Sequence, residues 1–344
     1  MYNHFTMKAL FVGGTGTIST AITRKLADRG WELWLLNRGN RHSILPAGVN
    51  EITCDINNEE EAAEKIKALS FDVVADFIIM TPQQAERDYR LFKGKTKQYI
   101  FISSASAYQK PPSSYRITEG TPHSNPFWEY SRNKIACEEF FYHKYREEGF
   151  PITVVLPSHT YDERSVPLGI HGKNGSWQTL KRMLEGKQVI VHGDGTSLWT
   201  TTHSSDFAEA FIGLMGNAHA LGEMVQITSD EVLTWNQIYG TVASILGVPL
   251  KPVHISSEFL HAAGPYDFQG GLIGDKANCA VFDNAKLKSL VPGFTAIIRF
   301  DQGARKTIEY MLSHKECQKE DPEFDAWCDR IIDVREKALA ELKR

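Results

Sequence analysis

Tyr130 and Lys134 stand four residues apart in Tyr-Ser-Arg-Asn-Lys, a spacing that puts both on one face of a helix. An ammonium beside a phenol favours the phenolate and lowers its pKa, which makes an acid/base able to work near neutral pH. Ser104 precedes Tyr130 by 26 residues (130 − 104) at the end of an apolar run, where its hydroxyl can donate to a substrate oxygen. Tyr89 and Lys93 share the spacing, but no serine-ended strand precedes them at a similar distance, so they serve as an internal control. A second stretch, Lys8 to Ser19, runs from an apolar strand through Gly13, Gly14 and Gly16 into a helical period. Strand, glycine turn and helix cradle a phosphate, because glycine admits a close backbone approach and the helix start offers N–H groups and a positive dipole end. The pattern is Gly13-x-x-Gly16-x-x-Ser19, with a small serine where a third glycine would serve helix–strand packing.

Strands and helices must hold these groups in place. Trp31 to Leu36 reads as a second strand ending in Asn37-Arg38-Gly39, the position that meets the adenosine ribose in a dinucleotide fold. An acid there would favour NAD. Arg38, with Arg41 near it, suits a 2′-phosphate by charge and planar donor fork, so the reading leans to NADP. A solvated turn arginine is the alternative. Glu51 to Cys54 is the third strand, and Asp55 at its tip either accepts from an adenine amino group or caps the helix near Glu59. Phe71 to Ile79 and Gln98 to Ile102 are further strands, with a helix over Gln83 to Phe92 between them. This alternation predicts an α/β fold, a parallel sheet with helices on both faces. Ligands lie at the carboxyl ends of such strands, which points to Ser103 to Tyr108. Further strands are expected at Pro151 to Leu156, Val189 to Val191 and Met224 to Thr228, and helices from about Phe127 and over Leu233 to Leu246. Gly264 to Asp275 reads as a glycine-rich loop near the cleft, and Asp301 to Arg344 as a charged helical tail with a solvated face.

The 344 residues carry 42% apolar and 23% charged side chains with a net charge of −4, an ordinary balance for a soluble globular protein without a broad basic surface. No apolar run approaches the roughly 20 residues that span a bilayer. No signal peptide is visible, and Met1 to Thr6 reads as a tag or an alternative start before Met7. Five cysteines without a C-x-x-C spacing predict reduced thiols and a cytoplasmic protein. Twelve histidines without H-E-x-x-H give no support to a metal site.

Gly-Gly-Thr-Gly-Thr-Ile at 13–18, Cys-Asp-Ile at 54–56, Ser-Ser-Ala-Ser-Ala-Tyr at 103–108, Tyr-Ser-Arg-Asn-Lys at 130–134 and His-Ser-Ser-Asp-Phe-Ala at 203–208 occur in this order. Together they resemble the extended short-chain dehydrogenase/reductases, which include the NAD-dependent epimerase/dehydratases of sugars. The likeness covers Lys8 to Ser229 and weakens towards Tyr310. It implies a Rossmann-type doubly wound sheet at 7–157, rejoined at about 187–229, and a smaller substrate domain at 158–186 and 230–344. It implies Ser104, Tyr130 and Lys134 as catalytic residues and NAD or NADP as cofactor. Gly13, Gly16, Thr17, Ile18, Asn37, Arg38, Asp55, Ile56, Phe77, Ile78, Ser103 and Pro157 would line that cofactor, together with Tyr130 and Lys134. Ser106, His159 and Trp199 are the substrate candidates.

Three departures bear on the substrate. Ser19 replaces a glycine, Leu156 stands where many members have arginine, and Trp199 stands where sugar-nucleotide epimerases often have an arginine for the diphosphate. The expected function is hydride transfer at a hydroxyl or carbonyl carbon of a sugar-like substrate, smaller than a nucleotide sugar and uncharged or singly charged, with Trp199 lining its site. Core packing is the alternative role for Trp199. A nucleotide-sugar epimerase/dehydratase is the alternative function. A related branch, similar to chloroplast stem-loop RNA-binding proteins, often loses the tyrosine and lysine. Tyr130 and Lys134 are intact here, which argues against nucleic acid as a partner and against a non-catalytic NAD(P)-binding protein. A homodimer is a possible assembly.

Overall fold

The computed structural model describes residues 6–39 and 45–344, so Arg41 lies outside the described residues. Its centre is β1 (Lys8–Val12), whose residues from Ala9 on are fully buried. Seven parallel strands form the sheet in the order Met224–Ile227, Ile152–Pro157, β5 (Thr96–Ile102), β4 (Phe71–Asp76), β1, β2 (Glu32–Asn37) and β3 (Asn50–Thr53). The chain winds outwards from β1 to β3, then crosses to β4 on the other side of β1. That reversal opens a crevice at the carboxyl ends of β1 and β4.

Alternation along the strands divides the core into two layers. Ala9 and Phe11 pack with Ile22 and Leu26 of α1 (Thr17–Asp28) and with Phe207 and Phe211 of the helix Ser204–Leu214. Leu10 and Val12 face the opposite layer, with Ala62 of α2 (Glu59–Ile66), Phe92 of α3 (Pro82–Phe92) and Phe141 of α4 (Glu129–Glu148). The motif at 203–208 serves this packing. His203 Nδ1 accepts from the Ser205 N–H at 3.2 Å, and the Asp206 carboxylate accepts from the Ile298 N–H at 2.8 Å.

Four expectations change. β4 stops at Asp76 rather than Ile79, because the Asp76 carboxylate accepts from the Ile78 and Ile79 N–H groups at 2.6 and 2.9 Å and turns the chain. The strand Val189–His192 does not rejoin the main sheet. It pairs in parallel with Pro252–Ile255, and only Met224–Ile227 returns, filling the edge beside Ile152–Pro157. Gln269–Lys276 is a π-helix rather than a loop, and Gly270 is needed in it, since a Cβ there would come within 2.2 Å of the Trp128 ring. The tail helix Pro322–Leu342 is not merely solvated. Phe324, Trp327, Cys328, Ile331 and Ile332 bury one side of it, and buried Arg182 donates to Asp325 and Asp329 at 2.7 Å each. Among the described residues no helix is long and apolar enough to cross a membrane.

Candidate active site

Two cavities meet at the carboxyl end of β5. The larger, a cleft of about 540 Å³, lies at the crevice beside β1 and is lined by Gly13, Gly16, Thr17, Ile18, Asn37, Arg38, Asp55, Ile56, Phe77 and Ile78. Gly13 sits at φ +82° with Ile78 Cγ2 2.4 Å from where a Cβ would be, so both conformation and space demand glycine. Ser19 does more than tolerate the third glycine position. Its hydroxyl accepts from the Gly16 N–H and donates to the Gly13 carbonyl, both at 2.8 Å, and stitches the turn together. The first N–H groups of a helix lack an intrahelical acceptor, and the first turn of α1 carries no acidic side chain. An anion is therefore favoured at this helix end.

Arg38 is exposed at the cleft rim, and among the described residues no carboxylate pairs with it. Asp55 does not cap α2 and stays in the cleft lining. Its carboxylate accepts from the Asn57 N–H at 3.0 Å, while Asn58 caps α2. The volume falls within the roughly 300–1,000 Å³ of small-molecule sites. Glycine turn, acid-free helix start and exposed cation together fit a dinucleotide.

The smaller cavity, about 250 Å³, is lined by Ser104, Ser106, Tyr130, Pro157, His159 and Trp199 among others. Ile102 lines the cleft and Ser104, two residues on, lines this pocket, so the cavities abut. Lys134 lies buried beneath, 5.6 Å from the Tyr130 ring centre, and donates to the Ile79 and Ile102 carbonyls at 2.5 and 2.8 Å. Ile79 thus links Lys134 to Asp76, accepting from the ammonium through its carbonyl and donating to the carboxylate through its N–H. Burial and the neighbouring Asp88 charge hold the Asp76 carboxyl well above the usual range.

The charges differ from the expectation for a phenol beside an ammonium. Burial pushes the Tyr130 phenol above its usual value, with a hydrogen bond to Ser104 pulling the other way. Burial also lowers the Lys134 ammonium to about 8. A serine relay surrounds the phenol. Ser131 donates to Ser106 at 2.8 Å, Ser106 and Ser104 share a hydrogen bond at 2.9 Å, and Asn125 Nδ2 donates to the Ser106 carbonyl at 2.8 Å.

Ser103 is turned away, its hydroxyl donating to buried Glu138. Trp199 belongs both to a pocket wall and to the core. It lines the pocket, packs 5.3 Å from Trp235 in the core, and donates from Nε1 to His159 Nδ1 at 3.1 Å. Burial keeps the His159 imidazole well below its ordinary value and hence neutral. Lys110, Trp128, Asp275, Lys276 and Phe282 also line this pocket and were not singled out as site residues. The glycine-rich run before Asp275 was their one sequence signal. The control pair lies elsewhere: Tyr89 donates to Glu148, and Lys93 pairs with the same carboxylate at 2.5 Å, on the exposed side of α3.

The profile described as "NAD dependent epimerase/dehydratase family" matches residues 9–227. The 2'-dehydrokanamycin reductase of Streptomyces kanamyceticus is 25% identical over 289 residues, 84% of this chain and 80% of that protein. The structure of epimerase Mth375 from Methanothermobacter thermautotrophicus superposes with a TM-score of 0.74 at 14% identity, covering 90% of this chain and 94% of that one. UDP-glucuronic acid 4-epimerase from Bacillus cereus, in complex with UDP-glucuronic acid and NAD, gives 0.72 at 18% identity over 89% and 99% of the two chains.

Proposed function

This chain belongs to the NAD dependent epimerase/dehydratase family, and we propose that it transfers hydride at a hydroxyl or carbonyl carbon of a sugar-like substrate, using Tyr130 as acid/base. The observation that carries the reading is the junction of the two cavities, where Ser104 and Tyr130 face the pocket and the cofactor cleft ends two residues away. The names of its relatives, a reductase and epimerases, support either a net redox reaction or a redox-neutral one.

Gly13, Gly16, Thr17 and Ile18 would hold the pyrophosphate, Asn37 and Arg38 the ribose, and Asp55 and Ile56 the adenine. Phe77, Ile78 and Pro157 would flank the nicotinamide end. A bound nicotinamide supplies a hydride acceptor or donor and, when oxidised, a positive charge that favours the phenolate. Tyr130, protonated at neutral pH in the protein's own field, gives its proton to a carbonyl oxygen in the reducing direction, and in the oxidising direction would act as the phenolate, favoured by the oxidised nicotinamide, to take one from a hydroxyl. Ser104 orients that oxygen through the serine relay. Lys134, fixed by two carbonyls, places positive charge under the phenol. Arg38, free of a described counter-charge at the cleft rim, supports a preference for NADP. The sugar-like substrate rests on the relatives' printed ligands and on Trp128 and Trp199, whose faces suit a sugar ring.

The test is to purify the protein, identify any retained nucleotide by absorbance and mass spectrometry, and titrate NAD and NADP. Retention or micromolar binding of either supports the reading. Failure to bind both overturns it.

A further inference from the structure

Resting on this reading of the pocket as a substrate site, we propose that Lys110 and Lys276 form a subsite for one carboxylate, so that the substrate is a free sugar acid rather than a nucleotide sugar. Lys110 is 5% exposed, yet it lines the pocket. Its ammonium has no hydrogen-bond acceptor among the described residues, and its counter-charge, Asp275 Oδ1, stands 3.9 Å away, too far for a hydrogen bond.

A buried ammonium is costly unless paired and hydrogen-bonded. The same molecule shows what a structural buried cation looks like. Arg182 is 1% exposed and has all three nitrogens satisfied, by the Gln188 carbonyl, Asp325 and Asp329, at 2.7–3.0 Å. Lys110 has no such set and keeps its donors for something else.

Lys276 brings the second cation. Its Nζ lies 3.7 Å from Asp275 Oδ2 and 3.3 Å from the Gly271 carbonyl. Its backbone is held firmly, since its carbonyl accepts from Trp235 Nε1 at 3.1 Å and meets His192 Nε2 at 3.1 Å. Asn125 ties this segment to the serine relay by donating to the Gly274 carbonyl at 2.8 Å as well as to Ser106. The anion subsite and Tyr130 therefore belong to one cavity with a braced wall.

Charge counting sets the ligand. Among the residues that line the pocket, two ammoniums face one carboxylate and the neutral His159 adds nothing, so one positive charge is left over. One carboxylate neutralises it. A diphosphate would bring two negative charges against that single excess charge, in a pocket of about 250 Å³ where Trp128 and Trp199 suit a sugar ring.

The test uses the full chain saturated with the nicotinamide nucleotide that it binds. Isothermal calorimetry compares D-glucuronate, D-galacturonate and D-mannuronate with their neutral parent sugars, inorganic phosphate, UDP-glucuronate and UDP-glucose. At least one hexuronate should bind about 10–100-fold more tightly than its parent sugar, the size expected of a charge-assisted hydrogen bond. Lys110→Met should remove that preference while leaving nucleotide affinity unchanged, and Lys110→Arg should restore part of it. Should Lys110→Met not fold, Asp275→Asn provides the second reading, with tighter hexuronate binding expected because the competing carboxylate is gone. A wild type with no hexuronate preference, a preference that survives Lys110→Met, unchanged or weaker hexuronate binding in a folded Asp275→Asn, or tighter binding of phosphate or of either nucleotide sugar overturns the subsite. Loss of nucleotide binding itself would instead strike the reading on which the subsite rests.

Discussion

The proposed cofactor cleft and the proposed substrate pocket share one end of one sheet, yet they are assembled in opposite ways. The cleft draws mostly on residues 13–19, 36–39, 54–57 and 77–78, each group lying at or just after the end of one of the first four strands, with Gln84 and Ile102 added. The pocket draws on 104–110, 128–130, 157–159, 199 and 275–282, segments separated by up to 178 residues (282 − 104). A site made of consecutive strand-to-helix turns comes with the fold itself, because each turn is local and its backbone does the binding. A site made of distant side chains depends on how every intervening element packs. The cleft leaves its cation, Arg38, in solvent, whereas the pocket buries Lys110 and surrounds Tyr130 with hydroxyls.

The two Tyr–Lys pairs make the same point within a single pattern. Lys93 lies 5.3 Å from the Tyr89 ring centre and Lys134 lies 5.6 Å from that of Tyr130, so helix spacing delivers the same geometry in both. Of the two tyrosines, Tyr130 lines the smaller cavity, with Lys134 buried beneath it, whereas Tyr89 lines neither of the two cavities.

The largest expected effect tests that distinction. Tyr130→Phe should lower turnover by about 10²–10⁴ and leave cofactor affinity within about twofold, since the phenol belongs to the pocket and not to the cleft. Tyr89→Phe should change neither. Steady-state rates and cofactor titrations of both variants decide the matter, and equal losses at the two sites would erase the contrast.

The next effect concerns the floor between the cavities. Burial lowers Lys134 from its ordinary 10.5 to about 8. Between those two values the unfolded chain holds the extra proton, so stability rises with pH over that window. Below about pH 8 the fold carries the full cost of a buried ammonium. Above it the neutral amine still has two N–H donors for the Ile79 and Ile102 carbonyls. Relative to Lys134→Met, wild type should gain about 3 kcal/mol between pH 8 and 10.5 in urea unfolding. Parallel profiles for the two proteins would mean that the ammonium is not desolvated.

At the cleft rim the effect is smaller. Arg38→Ala should reduce the preference for NADP over NAD by on the order of 1.5–3 kcal/mol, nearer the lower end because the side chain is exposed. Dissociation constants for both nucleotides check this. A wild type that prefers NAD, or a ratio that the substitution leaves alone, reduces Arg38 to a turn residue.

The smallest effect sharpens the local character of the cleft. Ser19→Ala removes the bridge between the Gly16 N–H and the Gly13 carbonyl. The variant should lose about 1–2 kcal/mol in unfolding experiments and a few-fold in cofactor affinity, with KM for the sugar substrate unchanged. A shifted KM would show that the two cavities are less separate than their construction suggests.

Much of this protein was legible from local pattern. The parallel α/β sheet follows from apolar runs alternating with helical periods, and ten of the residues expected at the cofactor do line the cleft. Their signals are short-range: glycines at a turn, polar residues at a strand tip, a four-residue helix spacing. The pairing of Val189–His192 with Pro252–Ile255 was not legible, since strand partners far apart leave no mark on either segment. Nor was the direction of the Tyr130 shift. Spacing brings Lys134 beside the phenol, but how much water both lose is set by how α4 packs over β5 and its neighbours. The lysines at 110 and 276 look ordinary in sequence. Tertiary structure alone buries one, braces the other through its backbone, and turns both into the wall of a cavity, because desolvation is a property of the packed whole and not of any stretch of chain.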